Sequence, residues 1–214
     1  MEKIVIAGSS FGVSTEPNKL PLLMIYEILQ IISDELNDYL DENTVDLANI
    51  ADAESEGNSP GNFPDIALSL INLQEEFALK NTRNDYVSGN TVTYKNPKVY
   101  LNLFILFSLN KSTYTESLKS LTKIIEFFQG KKVFTQANSN YENVDGIENI
   151  TSFKFITELY TPTFEELNFI WGTLGGKQKP SVLYKITLLE IERDAITKEG
   201  TVISELNRNS LINN

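Results

Sequence analysis

The chain has 214 residues, 41% hydrophobic and 22% charged, which is enough for one domain with a substantial apolar core. Its 18 Lys and Arg against 29 Asp and Glu give a net charge of −11, which argues against nucleic-acid binding and against docking on or inserting into an anionic membrane. The absence of Cys and His excludes disulfides, cysteine-type zinc sites and Ser-His-Asp or Cys-His catalysis.

Residues 1–20 are predicted to form an N-terminal arm. Its one apolar run is too short for a signal-peptide core or a membrane span, so we expect a chain made in the cytosol. Gly8 and Gly12 follow this run, but the Gly-x-Gly-x-x-Gly turn of a dinucleotide site is incomplete. The run is therefore interpreted as a strand-competent segment of the arm: Ile4, Val5, Ile6 and Ala7.

A first amphipathic helix is predicted from Pro21 to about residue 40, because apolar residues recur at helical spacing. The strands predicted after it are residues 45–50 at an edge, 66–73, 99–107, 152–159 and 182–191. The strand at 99–107 is apolar on nearly both faces, which indicates a central position in the sheet. Residues 52–62 and 81–96 are polar and are predicted to be surface loops.

A second helix is predicted over residues 113–129. Thr113 and Glu116 have the spacing of a capping box, and Gly130 is placed to end the helix. Its predicted buried residues are Leu118, Leu121, Ile124, Ile125 and Phe128.

A third, shorter helix begins after Pro162, with Thr163 and Glu166 as another capping box and Leu167, Ile170 and Trp171 apolar. Trp171 is expected to be a core anchor, with a ligand platform as the alternative. The residues that follow are expected to end this helix and turn the chain into the last strand: Gly172, Gly175, Gly176 and Pro180.

Two segments imitate ligand sites but lack a required residue. The acidic loop after Asp52 resembles the start of a calcium loop, yet its twelfth position is Phe63 rather than a bidentate acid. The glycines before Lys177 resemble a phosphate loop, yet Trp171 and Gln178 stand where a Gly and a Ser or Thr are needed. We therefore expect no catalytic residues, no cofactor and no metal site.

These elements predict an α+β fold, with a mixed or antiparallel sheet of four to five strands flanked by about three helices and extended terminal arms. The predicted domain covers residues 21–192, and residues 193–214 form a C-terminal tail. The apolar positions of that tail are Val202, Ile203 and Leu206.

Several segments together resemble the N-terminal domain of the tail-terminator, or cap, proteins of extracellular contractile injection systems, which are phage-tail-like particles of the antifeeding-prophage and virulence-cassette type. The resemblance covers about residues 22–192. Its most specific part is the run Trp-Gly-x-Leu-Gly-Gly-Lys-x-x-Pro-Ser-Val-Leu-Tyr at residues 171–184. The other segments are residues 24–29, 33–37, 68–76, 96–103, 125–131 and 167–170.

This resemblance implies a structural, non-enzymatic subunit. It implies a hexameric ring at the end of the particle distal to the baseplate, which stops the inner tube and anchors the last sheath layer. The implied partners are the sheath and inner-tube proteins, with a second cap paralogue left open. Assembly would take place in the bacterial cytoplasm, and the particle would be either released or membrane-tethered.

Two other functions remain open at this point. One is a non-enzymatic adaptor domain that recruits a partner or effector in the same kind of particle. The other is a His-free enzyme that works through carboxylates and a metal.

The arms suggest how a ring holds its neighbours. An extended segment can add as a strand to an exposed sheet edge of another subunit. We therefore expect residues 4–7 or residues 201–206 to pair with the sheath or with a neighbouring cap subunit, the alternative being that both arms are unstructured.

Overall fold

A computed structural model describes residues 25–41, 44–52, 63–79, 85–88, 91–95, 99–141, 153–191 and 196–201. The arm positions predicted for strand exchange lie outside the described residues: Ile4, Val5, Ile6, Ala7, Val202, Ile203 and Leu206. Most of the acidic segment after Asp52 also lies outside them.

Three helices and nine strands are present in the described part of the chain. The helices predicted from the sequence are all confirmed, with ends within a few residues of those expected. The helices are α1 Ile25–Leu40, α2 Tyr114–Gly130 and α3 Phe164–Thr173. The strands are β1 Val45–Leu47, β2 Ile66–Glu75, β3 Asp85–Ser88, β4 Thr91–Lys95, β5 Val99–Leu109, β6 Val133–Thr135, β7 Lys154–Tyr160, β8 Ser181–Ile191 and β9 Ile196–Thr201.

Six of the strands form the main sheet, in the order β1-β2-β5-β8-β7-β6. Its strands pair antiparallel, except that the edge strand β1 runs parallel to β2. The predicted α+β class with a mixed sheet is confirmed, and the sheet has one strand more than the four to five expected.

The segment 81–96, predicted to be a surface loop, instead carries the antiparallel strands β3 and β4. Strand β9 pairs with β4 to complete a second, three-stranded sheet, so residues 196–201 of the predicted tail are in a strand. Tyr86, Val87, Val92, Thr93 and Tyr94 are β-branched or aromatic residues that favour strands. A small sheet of three short strands needs little apolar surface, so the segment can be polar. This polar composition hid the strand signal.

Strand β5 lies inside the main sheet, as its apolar pattern predicted. Leu103, Ile105 and Phe107 face the larger core beneath α1 and α2, whereas Leu106 faces a smaller core beneath α3. Successive side chains of a strand point to opposite faces, so a strand covered on both sides must be apolar throughout.

Helix α2 is rotated relative to the prediction. Ile124 and Phe128 are buried as expected, but the remaining buried positions are Ser117 and Phe127. Leu118 and Ile125, both predicted to be buried, are 41% exposed. Leu121, the fifth predicted position, is partly buried against the larger core. On the other side of Ile124 and Phe128 the core takes Phe127, which packs against Tyr39 of α1 (ring centroids 5.4 Å apart).

Side-chain hydrogen bonds fix α1 against the start of β1. Asn37 Oδ1 accepts from the backbone N–H groups of Thr44 (3.1 Å) and Val45 (2.9 Å), while its Nδ2 donates to Val45 O (2.8 Å). Ser33, one turn earlier, donates to the same carbonyl at 2.9 Å. One amide therefore satisfies backbone groups that the short edge strand leaves without a partner.

We expect Asn37→Ala to lower the free energy of unfolding by about 1–3 kcal/mol, because it leaves the backbone N–H of the buried Val45 without an acceptor. Urea denaturation followed by circular dichroism measures this loss. The matched control is Asn168→Ala on the exposed face of α3, which should change stability by less than about 0.5 kcal/mol. Equal effects of the two substitutions would contradict the assigned role.

Aromatic rings fill the centre of the larger core. Tyr184 of β8 packs on Phe128 with ring centroids 4.2 Å apart and meets Phe107 edge-on at 6.1 Å. Burial raises the pKa of Tyr184 from its ordinary value of 10.0 to about 12, because the phenolate is poorly solvated there. The phenol is therefore retained in its neutral form over the whole neutral range.

This shift predicts a loss of stability at alkaline pH. The unfolded phenol ionises near its ordinary pKa while the folded one stays protonated, so stability falls as pH rises from 10.0 to about 12. Tyr184 should contribute up to about 2–3 kcal/mol to this fall. Urea denaturation at about pH 8 and about pH 11.5 should show a smaller alkaline loss for Tyr184→Phe than for the wild type. The control Tyr26→Phe, on an exposed ring, should follow the wild-type curve.

Candidate assembly surface

Helix α3 connects β7 to β8, and a capping box fixes its first turn. Thr163 Oγ1 accepts from the backbone N–H of Glu166 (3.2 Å), and Glu166 Oε2 accepts from the backbone N–H of Thr163 (2.8 Å). The second carboxylate oxygen accepts from the hydroxyl of Tyr160 at 3.2 Å. The hydrogen bond from the Thr163 backbone is the main cause that lowers the pKa of Glu166, so the cap is fully formed with the carboxylate ionised.

The last turn of α3 is closed by a Schellman arrangement. The N–H of Gly176 donates to Trp171 O (2.6 Å), which is the 6→1 bond of that motif, and the N–H of Leu174 makes the last regular helical bond, to Ile170 O (3.1 Å). Gly175 and Gly176 have φ of +104° and +81°, a region that favours glycine. The turn then leads to Pro180, whose carbonyl accepts from the N–H of Leu109 at 2.9 Å. The structure thus places these predicted turn residues together between α3 and β8.

Trp171 attaches α3 to the sheet. Its indole is buried against Ile50, Leu106 and Leu183, in the smaller core. Its Nε1 is buried and has no hydrogen-bond partner in the described part of the chain. The indole therefore contributes apolar packing in the core. Gly172, the next residue, was predicted to belong to the turn but is an exposed position within α3, with open space around the position of a Cβ.

The outer side of α3 carries exposed phenylalanines that the sequence analysis did not single out. Phe164 is 93% exposed and Phe169 is 64% exposed, although half of the helix is apolar. Its apolar residues are spread more widely round the helix than a single buried stripe requires, so this spacing was a usable signal. Exposed aromatic side chains on a rigid helix are typical of protein contact surfaces. We call Phe164 and Phe169 the α3 aromatic pair.

A cleft of about 720 Å³ lies between the N-terminal half of α2 and the end of β7. Its apolar α2 wall includes the exposed Leu118 and Ile125 together with Leu121, which also packs against the larger core. Leu159 of β7, 56% exposed, lies opposite them. We call this the α2–β7 cleft; its lining includes Tyr114, Leu118, Leu121, Ile125, Leu159, Pro162, Leu167 and Pro180.

A second cleft, of about 560 Å³, lies on the other flank of α3. Phe169 and Thr173 of α3 line it together with Ile71 and Phe104 of the sheet. Polar side chains from β2 complete the lining, namely Asn72 and Gln74. Both flanks of α3 are therefore open and combine apolar with polar side chains, which suits contacts with another polypeptide.

Among the residues that the structure describes, no group of three or more acidic side chains is arranged to hold a metal ion. The pKa of Glu76 is lowered mainly by the hydrogen bond that Asn102 donates to it at 3.0 Å, a contact within the sheet. None of the described helices is both long and apolar enough to cross a bilayer.

A family model described as the Pvc16 N-terminal domain matches residues 27–205. The match covers most of the chain, including α3 and the glycine turn. No match was found among curated proteins.

The fold is similar to two solved structures. The first is the sheath/tube terminator of the PVC extracellular contractile injection system in its extended state, with a TM-score of 0.55, 12% identity, and coverage of 88% of this chain and 63% of that one. The second is the tube-terminating cap of the anti-feeding prophage, with a TM-score of 0.55, 12% identity, and coverage of 87% of this chain and 61% of that one. This chain therefore spans less than two thirds of either structure, and at this identity the likeness establishes a shared fold.

The glycine turn provides a direct test of the backbone geometry that ends α3. Gly175→Ala should destabilise the protein by about 1–2 kcal/mol, because an L-residue is strained at this positive φ. Gly172→Ala is the control: it lies within the helix, where alanine should be neutral or stabilise by up to about 1 kcal/mol. A Cβ would meet no atom within 4 Å at either position, so a difference measured by thermal or urea unfolding reports backbone conformation alone. Equal effects would contradict the turn.

Proposed function

The chain belongs to the Pvc16 N-terminal domain family, and we propose from this membership that it is a structural cap subunit of a contractile injection system. Its role is to end the inner tube and to hold the last sheath layer at the end distal to the baseplate. It acts by shape and surface, without catalysis, cofactor or metal.

The observation that carries this proposal is the shared fold with a sheath/tube terminator and a tube-terminating cap over 88% and 87% of the chain. The exposed aromatic pair on α3 supports it, because exposed apolar groups on a rigid helix are suited to subunit contacts. The capping box and the glycine turn hold that helix at both ends, so its surface is presented in one orientation.

The proposed assembly is a homo-hexameric ring. A head-to-tail ring requires two different patches on each subunit that close after a fixed rotation. A terminator must also differ at its two ends, since it offers a mating surface to the last tube layer but none for another layer. The two flanks of α3 differ in lining, so this part of the molecule meets the requirement for asymmetry.

We propose that the folded domain comprises residues 21–192 together with β9. The two arms are then the segments that precede and follow this domain. The pairing of β9 with β4 leaves Val202, Ile203 and Leu206 as the arm of the C-terminal tail. These positions, and Ile4, Val5, Ile6 and Ala7, are proposed to exchange strands with a neighbouring subunit of the ring or the sheath.

The proposed partners are the sheath and inner-tube proteins of the particle, within the bacterial cytoplasm where the particle is assembled. A second cap paralogue would be a further partner at the same end of the particle.

Particles assembled without this chain should have inner tubes of widely varying length, and restoring the wild-type chain should narrow the distribution measured by electron microscopy. The purified chain should form a ring of about six copies, by mass measurement and negative staining. Phe164→Ser with Phe169→Ser should broaden the distribution again without a change in stability beyond about 0.5 kcal/mol, because both rings are exposed. The control Asn168→Ser, on the same helix, should behave as wild type.

Tube lengths that do not depend on the chain would contradict the cap function. If the chain then still bound another particle protein, it would be an adaptor instead.

A further inference from the structure

The outer edge of β7 is only partly paired. Strand β6 pairs with Lys154 to Ile156, and Thr157 donates its backbone N–H to Lys132 O at 2.8 Å. Backbone groups two residues apart point to the same edge of a strand, so the N–H and C=O of Leu159 also point outward. In the described part of the chain no strand pairs with Leu159 on that side. An extended segment could form backbone hydrogen bonds with Leu159 there, next to β6 on the same edge of β7.

The α2–β7 cleft adjoins this open edge. Its α2 wall consists of one row of apolar residues at i, i+4, i+7 and i+11: Tyr114, Leu118, Leu121 and Ile125. A strand added beside Leu159 would place alternate side chains against this row. The occupant must therefore offer backbone hydrogen bonds and apolar side chains together, which describes an extended apolar peptide rather than a small molecule.

The chain contains two such peptides outside the described residues. Residues 4–7 are all apolar, so either alternating set, Ile4 with Ile6 or Val5 with Ala7, fits the wall. In the C-terminal segment, Ser204 and Glu205 interrupt the apolar positions, so one polar side chain would enter the cleft in either register.

The lengths of chain that connect the two peptides to the described residues also favour residues 4–7 as the occupant of the cleft. The chain from residue 7 to Ile25 can span up to roughly 60 Å when extended. The C-terminal segment instead follows β9, which pairs with β4 in the second sheet. Strand β8 first carries the chain from Tyr184, the partner of Leu159, to Ile191, roughly 24 Å away from the cleft.

We propose that the α2–β7 cleft receives residues 4–7 of a second copy of this chain as a strand added along β7. This rests on the proposed ring, in which an arm and a cleft are the two different patches that head-to-tail closure requires. Each subunit inserts its arm into the next one, so the ring is held by six equivalent contacts. The same arm bound within its own chain would contribute nothing to closure.

The cysteine-free sequence makes the contact directly measurable. Leu159→Cys is introduced into one preparation of the full-length chain, and Ile4→Cys, Val5→Cys or Ile6→Cys into another. The preparations are mixed, assembled and mildly oxidised, and disulfide-linked dimers are measured by non-reducing electrophoresis. A disulfide requires Cα atoms about 4.4–6.8 Å apart, so only close contacts are captured.

The expected result is a linked dimer containing one chain of each kind, strong at Ile4 and Ile6 or at Val5, but not at all three. This alternation with period two is the signature of a strand. The control replaces Leu159→Cys by Leu73→Cys, an exposed apolar position on β2 that lines neither cleft, and should yield at least tenfold less dimer. A chain carrying both cysteines should give linked multimers rather than a faster-migrating internally linked monomer.

Two results would overturn the inference. One is an internally linked monomer, which would mean that the arm fills its own cleft. The other is the absence of preferential linkage at Leu159→Cys although the wild-type chain forms rings by mass measurement. The second result would contradict the strand insertion but not the proposed cap function. Failure of the wild-type chain to form any ring would contradict both the strand insertion and the cap function.

Discussion

Burial of both faces of β5 is the constraint on which the rest of the fold depends. Leu103, Ile105 and Phe107 require cover on one face, and Leu106 requires it on the other. Helices α1 and α2 supply the first cover and α3 the second, which gives a sheet between helical layers. Because a single short helix covers the second face, apolar surface remains exposed along the flanks of α3.

The same constraint explains how apolar side chains come to be displayed on a stable molecule. Trp171 uses the inner side of α3 to bury the smaller core, while the capping box and the glycine turn fix both ends of the helix. Phe164 and Phe169 are then left on the outer side without cost to the core. In a chain with a net charge of −11, copies repel one another electrostatically, and exposed apolar groups of this kind are what could offset that repulsion in the proposed ring.

The sequence predicted some parts of the candidate site well because their signals are local. The spacing of Thr163 and Glu166 predicts a cap that forms within three residues of backbone. The rotation of α2 was missed because the helix carries apolar residues on both sides of Ile124 and Phe128, and the contacts of the folded chain decide which side is buried. The strands β3 and β4 pair locally, with Ser88 opposite Thr91, and were missed because the segment is polar. Their third partner, β9, is about one hundred residues away, so that pairing could not be predicted from neighbouring residues.

The sequence by itself determined the absence of Cys and His, the apolar central strand, the ends of the helices and the resemblance to terminator domains. These properties depend on residue identity, on period and on neighbours in the chain. The tertiary structure alone decided which row of α2 enters the core and which lines the cleft, and how far β6 covers the edge of β7. These depend on side chains that meet across long stretches of sequence, where packing rather than local preference sets the lowest free energy.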